Sequence, residues 1–487
     1  MRARMVTAAA LLSLIGCAHG GSGSEAVLKT RPQLIPLQPF AAPRPKVHTL
    51  KNGLKLLVVE KQGDGIEALQ LVVKRGTADD PPQLAGAASL AMDMLEAGSA
   101  GRSQTQMAAA ADAIGASLHA GVGVDGAALA GSAMVSNLEP LVALFADLAL
   151  RPNFAEDEWK RIVGQRQADL LAARAEPTVA ASRAFARAVY GDHPYGLASD
   201  GTVESVNAIK LEDVKAVFAR FDPAKSALVA VGGVPEARVV ELLAKAFEGW
   251  PSRAGGHPNS AELPQARPAP LERPRLVLVD YPDKPQTVMR IGAPGLPRSS
   301  PDVLALRIWN SVVGGSFTSR LSANLRELHG YTYGAGSRFS FGIGPGPFVT
   351  LADVKTEVTA EALKEALTEL QRAVAEPITQ AELDKAKALL AFDVAQLLEH
   401  ADGAAAAFGQ LFLYGLPEDE FQTYVPRLQK LTAAEVLAAA SRALDPAKMT
   451  IVLSGDAKKI LAQLRASGLG LPAAELRDVV GEPIAGR

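Results

Sequence analysis

The sequence predicts an α+β fold: two homologous α/β units, each a mainly antiparallel sheet with helices packed on one face. Three observations lead there. A chain of 487 residues, 48% hydrophobic, is too long for one core. Strand-like and helix-like segments come in separate clusters, which argues against a doubly wound sheet. The same opening pattern occurs twice, as an internal duplication would give.

The elements follow in order. Residues 1–16 place Arg2 and Arg4 before a short apolar run from Met5 to Ile15, the form of a secretory signal too short to span a bilayer. Leu14-Ile15-Gly16-Cys17 resembles the box of a bacterial lipoprotein signal. That resemblance implies cleavage before Cys17, a lipid on its thiol, and a place in the cell envelope, anchored to the outer membrane and facing the periplasm. A plain signal with an incidental cysteine is the alternative. Cys17 is the only cysteine, so no disulfide forms within the chain. Residues 17–45, Gly/Ser-rich and then Pro-rich, read as a flexible tether.

The N-terminal unit, 46–250, opens with the strand patterns HTLKNGLKLLVVEKQ and ALQLVVKRG. The helix GAASLAMDMLEAGS follows, apolar except for Ser89, Asp93 and Glu96 on a single face. Ser103 and Gln106 make an S-x-x-Q capping box, hairpin-like strands come next, and long Ala/Leu-rich helices lead to the strand-like SALVAVGG. A Pro-rich linker spans 251–274. The C-terminal unit, 275–487, opens with RLVLVDYP and QTVMRIGAPG, continues with a helix from about 302 to 313, and has a last strand in MTIVLSG.

Composition and motifs exclude several classes. Lys and Arg total 50 against 52 for Asp and Glu, with no long basic run, so no nucleic-acid partner is expected. Gly121 to Gly126 fits G-x-G-x-x-G, but the strand-like AALAGSAMV follows it where a dinucleotide site needs a helix, so it reads as a hairpin turn. The seven His residues form no i, i+4 pair.

The opening GTADDPPQLAGAASLAMDMLEAGS, the stretch 191–223 beginning GDHPYG, the stretch 313–336 containing SRLSANLRELHGYTY, and the duplicated order together resemble the pitrilysin/insulinase family of zinc metallopeptidases, the inverzincins with H-x-x-E-H. The resemblance runs from about His48 to about Ser454 and implies two units enclosing a cleft for an extended peptide. It also implies a degenerate metal site. Ser89 and Asp93 stand at the two metal-binding His positions and Met92 at the catalytic Glu; the third ligand falls on Asp169, the assisting acid on Ile162, and a site Asn on His119. Catalytic zinc needs three good ligands and a carboxylate to take the proton of its water. Met92 is no base and Ser89 a poor ligand, so no metal is expected in this chain, although Asp93 and Asp169 leave two oxygens for a hard cation.

One family constellation is intact. The resemblance places the Arg and Tyr that bind the peptide carbonyl and stabilise the oxyanion on Arg326 and Tyr333, seven residues apart. Tyr331, on the same strand, is expected to face the other way. Three readings stay open. The first is a non-catalytic, substrate-binding subunit of a heteromeric envelope peptidase, whose partner carries H-x-x-E-H and the zinc. The second is a peptide- or protein-binding scaffold or chaperone. The third is a hydrolase with an unusual metal site.

Overall fold

The computed structural model describes residues 41–252, 268–269 and 271–484. Cys17, most of the tether and most of the linker lie outside the described residues.

Two six-stranded sheets dominate. The first contains β1 (Lys46–Thr49), β2 (Lys55–Glu60), β3 (Ile66–Val73), β6 (Ser117–Val122), β7 (Ala127–Met134) and β8 (Ser226–Gly232) in the order β1-β2-β8-β3-β7-β6. The intervening β4 (Gly98–Ser99) and β5 (Arg102–Ser103) form a separate small ribbon. The second contains β9 (Arg275–Asp280), β10 (Gln286–Pro294), β11 (Thr332–Phe339), β12 (Pro347–Lys355), β13 (Thr450–Gly455) and β14 (Glu475–Arg477) in the order β11-β12-β10-β13-β9-β14.

Laid side by side, β2-β8-β3-β7-β6 and β9-β13-β10-β12-β11 have the same order and the same strand senses. β2/β8 and β9/β13 are parallel, and the remaining pairs of these five are antiparallel. The duplication read from the sequence is thus a repeat of topology, and the α+β class holds.

The packing goes further than helices on one face. Side chains alternate across a strand, so Leu56, Val58, Leu69, Leu71, Leu228 and Ala230 share one face of the first sheet; they pack with the helices Leu138–Leu150 and Glu236–Phe247 of the same half. The alternate residues Leu57, Val59, Ala68, Val229 and Val231 join a different cluster with Ala404, Ala405, Phe408 and Leu411 of the helix Ala401–Tyr414, which belongs to the other half. The second sheet reciprocates. Val277, Val279, Val288, Val349 and Val452 pack with Ala180, Ala181, Ala184 and Phe185 of Pro177–Tyr190, a helix of the first half. The described residues accordingly form one compact unit.

The two exchanged helices are alanine-rich, which lets a helix lie close on a sheet. A Cβ at Gly409 would stand 2.8 Å from Val72 Cγ2. Polar ties reinforce the join: the Tyr195 hydroxyl donates to Asp125, Asp125 Oδ2 accepts from Ile343 N at 2.9 Å, and Tyr190 Oη donates to Pro345 O at 2.7 Å.

Gly409→Leu is expected to force the Ala401–Tyr414 helix off the sheet and to lower stability by about 1–3 kcal/mol. A urea titration checks this, and an unchanged midpoint would show that the helix approaches less closely than described.

Candidate functional site

The helix Ala87–Glu96 starts on a buried carboxylate. Asp80 Oδ2 accepts from Gly86 N at 3.1 Å and Asp80 Oδ1 from Ala88 N at 3.1 Å. Burial pushes the Asp80 carboxyl up to about 7, against the opposing pull of those N–H groups. The apolar residues of the helix face inwards, and Ser89, Asp93 and Glu96 are its half-buried stripe. Met92 is buried in the core of the first half, and Ile162 is buried between helices.

What the stripe faces is a cation. Arg166, on the helix Glu156–Ala173, donates from Nη2 to Asp93 Oδ2 at 2.7 Å and to Ser89 Oγ at 3.0 Å, and from Nη1 to Asp200 O at 3.1 Å. The guanidinium thus bridges Ser89 and Asp93. Asp93 is raised by burial, an effect that Arg166 opposes and Glu96 reinforces. Asp169 is not part of this cluster: it is exposed and accepts from Gln165 Nε2 at 2.8 Å on its own helix. Among the described residues no group of three His, Cys, Asp or Glu side chains is placed to hold a metal ion. A hydroxyl, one carboxylate and a guanidinium do not fit zinc.

Sequence reasoning missed Arg166. Its signal was available only as a cation one helical turn before the third-ligand position. His119 pairs with Glu96 at 2.9 Å, and Glu96 Oε1 accepts the N–H of Ala120 on edge strand β6 at 2.5 Å.

The Arg326 region is built differently. The helix Val303–Asn310 widens into a π turn over Ser311–Gly315, and the short helix Arg320–Ser322 continues into a second π turn over Ala323–Leu328, a geometry frequent at functional sites. Gly314 permits the close approach of the first turn to β11, because a Cβ there would lie 2.3 Å from Ser337 N. Arg320 anchors the second by two bonds of 2.8 Å to Glu382, whose carboxyl those bonds hold down to about 2.

Arg326, on this scaffold, donates to Glu327 Oε1 at 2.8 Å and to Phe317 O at 3.3 Å, and its guanidinium carbon lies 3.9 Å from the centroid of the Phe317 ring. Tyr333 is 90% exposed on edge strand β11, and its hydroxyl has no hydrogen-bond partner among the described residues. Phe317 at 76% and Leu328 at 74% are also far more exposed than aromatic and aliphatic side chains usually are.

Tyr331 does not sit on the opposite face of the same strand. It precedes β11, is half-buried, and stacks on His329 at 4.9 Å. Residues two apart on a regular strand share a face; the irregular register between Thr332 and Ala335 separates the two tyrosines.

The fold has counterparts among known proteins. Residues 56–202 match the model for insulinase (peptidase family M16), and residues 208–390 match the model for the peptidase M16 inactive domain. The chain belongs to the M16 peptidase family. An uncharacterised zinc protease of Mycobacterium bovis is 25% identical over 438 residues, 89% of this chain and 99% of that protein. A Helicobacter pylori protein described as a non-peptidase homologue is 25% identical over 296 residues, 60% of this chain and 66% of its own. The crystal structure of a peptidase M16 inactive domain from Pseudomonas fluorescens superposes with a TM-score of 0.78 at 27% identity, covering 85% of this chain and 98% of that one. This M16 chain therefore combines the family fold with a helix, Ala87–Glu96, whose Ser89 and Asp93 bind a guanidinium.

Arg166→Met keeps most of the stem's packing but leaves Asp93 without its cation. Stability is expected to fall by about 1–3 kcal/mol at pH 8. The loss should be smaller at pH 4, because Asp93, already raised, rises further without Arg166 and takes up a proton there. Urea titrations at both pH values check the sign; equal losses would assign Arg166 a packing role alone.

Proposed function

We propose that this chain is the non-catalytic, substrate-binding subunit of a heteromeric peptidase of the cell envelope. Its partner is a family member with an intact H-x-x-E-H helix that holds the zinc and the base. The observation that carries this reading is the asymmetry between the two sites: a guanidinium occupies the stripe of the helix Ala87–Glu96, while a largely covered Arg326 and an exposed Tyr333, whose hydroxyl has no partner among the described residues, stand on one scaffold.

In this reading an extended peptide lies along β11, whose outer edge is unpaired in the sheet. Tyr333 Oη and the Arg326 guanidinium donate to the carbonyl oxygen under attack, where negative charge develops. Arg326 exchanges its exposed Glu327 contact for the peptide, a small loss because surface ion pairs contribute little. Edge strand β6 is less suited to the same task, since Glu96 already takes the N–H of Ala120. The second reading, a binding scaffold without catalysis, draws support from the relative described as a non-peptidase homologue.

Arg326→Ala and Tyr333→Phe are each expected to lower turnover by the reconstituted complex about 10²- to 10³-fold, the usual cost of one oxyanion donor, with assembly intact on size-exclusion chromatography. Tyr331→Phe, away from the exposed surface, should have little effect. Full activity in both site variants would remove the shared-site reading and leave the scaffold.

Cys17 is proposed as the lipid attachment point, facing the periplasm. Cys17→Ser is expected to move the protein from the membrane fraction to the soluble one. Unchanged fractionation, with the complex dissociated by salt, would count against lipidation.

A further inference from the structure

Beside Arg326 lies a pocket of about 490 Å³ to which the roles above assign nothing. Phe317 joins the two, since the residue whose ring lies against the Arg326 guanidinium also lines the pocket. The remaining wall comes from the end of the helix Val303–Asn310, from β11 and the loop after it, and from the middle of the helix Gln380–Glu399. These supply Arg307, Arg338, Phe341, Leu389 and Asp393.

The charges in this pocket are not balanced locally. Neighbouring guanidiniums have carboxylate partners: Arg298 with Glu420, Arg320 with Glu382, Arg326 with Glu327 and Arg290 with Asp353. Arg307 and Arg338 have none among the described residues. Arg307 reaches the Tyr424 hydroxyl at 3.5 Å and lies 6.0 Å from the Phe341 ring, and neither contact neutralises it. Asp393 shares the pocket but stands beyond ion-pair distance of both arginines. Two unpaired guanidiniums over aromatic and aliphatic walls attract a carboxylate, which accepts from the planar guanidinium in a bidentate manner.

We propose that this pocket is a subsite for a carboxylate of the peptide that passes Arg326, bound by Arg338 and Arg307. The proposal rests on the reading of the Arg326 and Tyr333 surface as a peptide site. A Glu or Asp side chain and a C-terminal carboxylate offer the same chemistry.

The experiment titrates the purified full chain into dye-labelled octapeptides by fluorescence anisotropy. One set is blocked at both ends and differs by a single Glu or Gln at each position in turn; a second set differs by a free or amidated C-terminus. At its preferred position Glu is expected to bind about tenfold or more tighter than Gln. Arg338→Gln should abolish that preference and Asp393→Asn should increase it. Arg326→Ala should weaken both members of each pair by the same factor. A preference for the free C-terminus with none for internal Glu would assign the carboxylate to the chain end.

Equal binding of all pairs, a preference that survives Arg338→Gln, or no binding by any peptide would overturn the subsite. If the pairs bind equally and both members are lost in Arg326→Ala, the subsite fails while the peptide site stands. If Arg338→Gln removes the preference but Arg326→Ala and Tyr333→Phe change nothing, the subsite stands and the shared-site reading loses its support.

Discussion

Each sheet of this protein has two apolar faces, and its own half covers only one of them. The strands β8 and β13 are buried along their whole length, so the second face has to be removed from water by something else. That something is a helix from the opposite half, Ala401–Tyr414 on the first sheet and Pro177–Tyr190 on the second. Separating the halves would expose both faces to water at once. The halves are consequently held in one arrangement, which fixes where the helix Ala87–Glu96 and the Arg326 surface are displayed.

The helix Ala87–Glu96 shows how a polar stripe on an apolar helix is neutralised from within the chain: the charge that faces it is a guanidinium, so Asp93 lies beside a cation. A guanidinium, unlike a metal ion, has no coordination position with which to bind and activate water, and Met92 offers no proton acceptor. Glu96 takes a backbone N–H of edge strand β6, and Met92 is buried in the core of the first half.

The Arg326 surface combines strict local geometry with unusual exposure. Two π turns, the Gly314 approach to β11 and the Arg320–Glu382 pair constrain the backbone, yet Phe317, Leu328 and Tyr333 project outwards. Apolar and aromatic groups held out from a rigid support are what a recognition surface requires, because little conformational entropy remains to be lost on binding. The adjoining pocket extends that surface and gives it a charge of its own.

Much of the fold was legible in the sequence because it rests on local pattern. Alternating apolar residues marked β2, β3, β8, β10 and β13, the Ser103–Gln106 box marked a helix start, and repetition of the opening marked the duplication. The stripe Ser89, Asp93, Glu96 was visible as spacing, and the Arg326/Tyr333 pair as a motif. What covers the second face of each sheet was not visible, since an alanine-rich helix carries no label for the sheet it will meet more than a hundred residues away. For the same reason Arg166 was overlooked and Asp169 was grouped with the wrong partners. The two lie three residues apart on one helix, and only the helix's rotation against Ala87–Glu96 decides which side chain reaches the stripe. Sequence determined the elements and the polar stripe; tertiary packing decided that a guanidinium faces Ser89 and Asp93, because that outcome depends on distances between segments with no pattern in common.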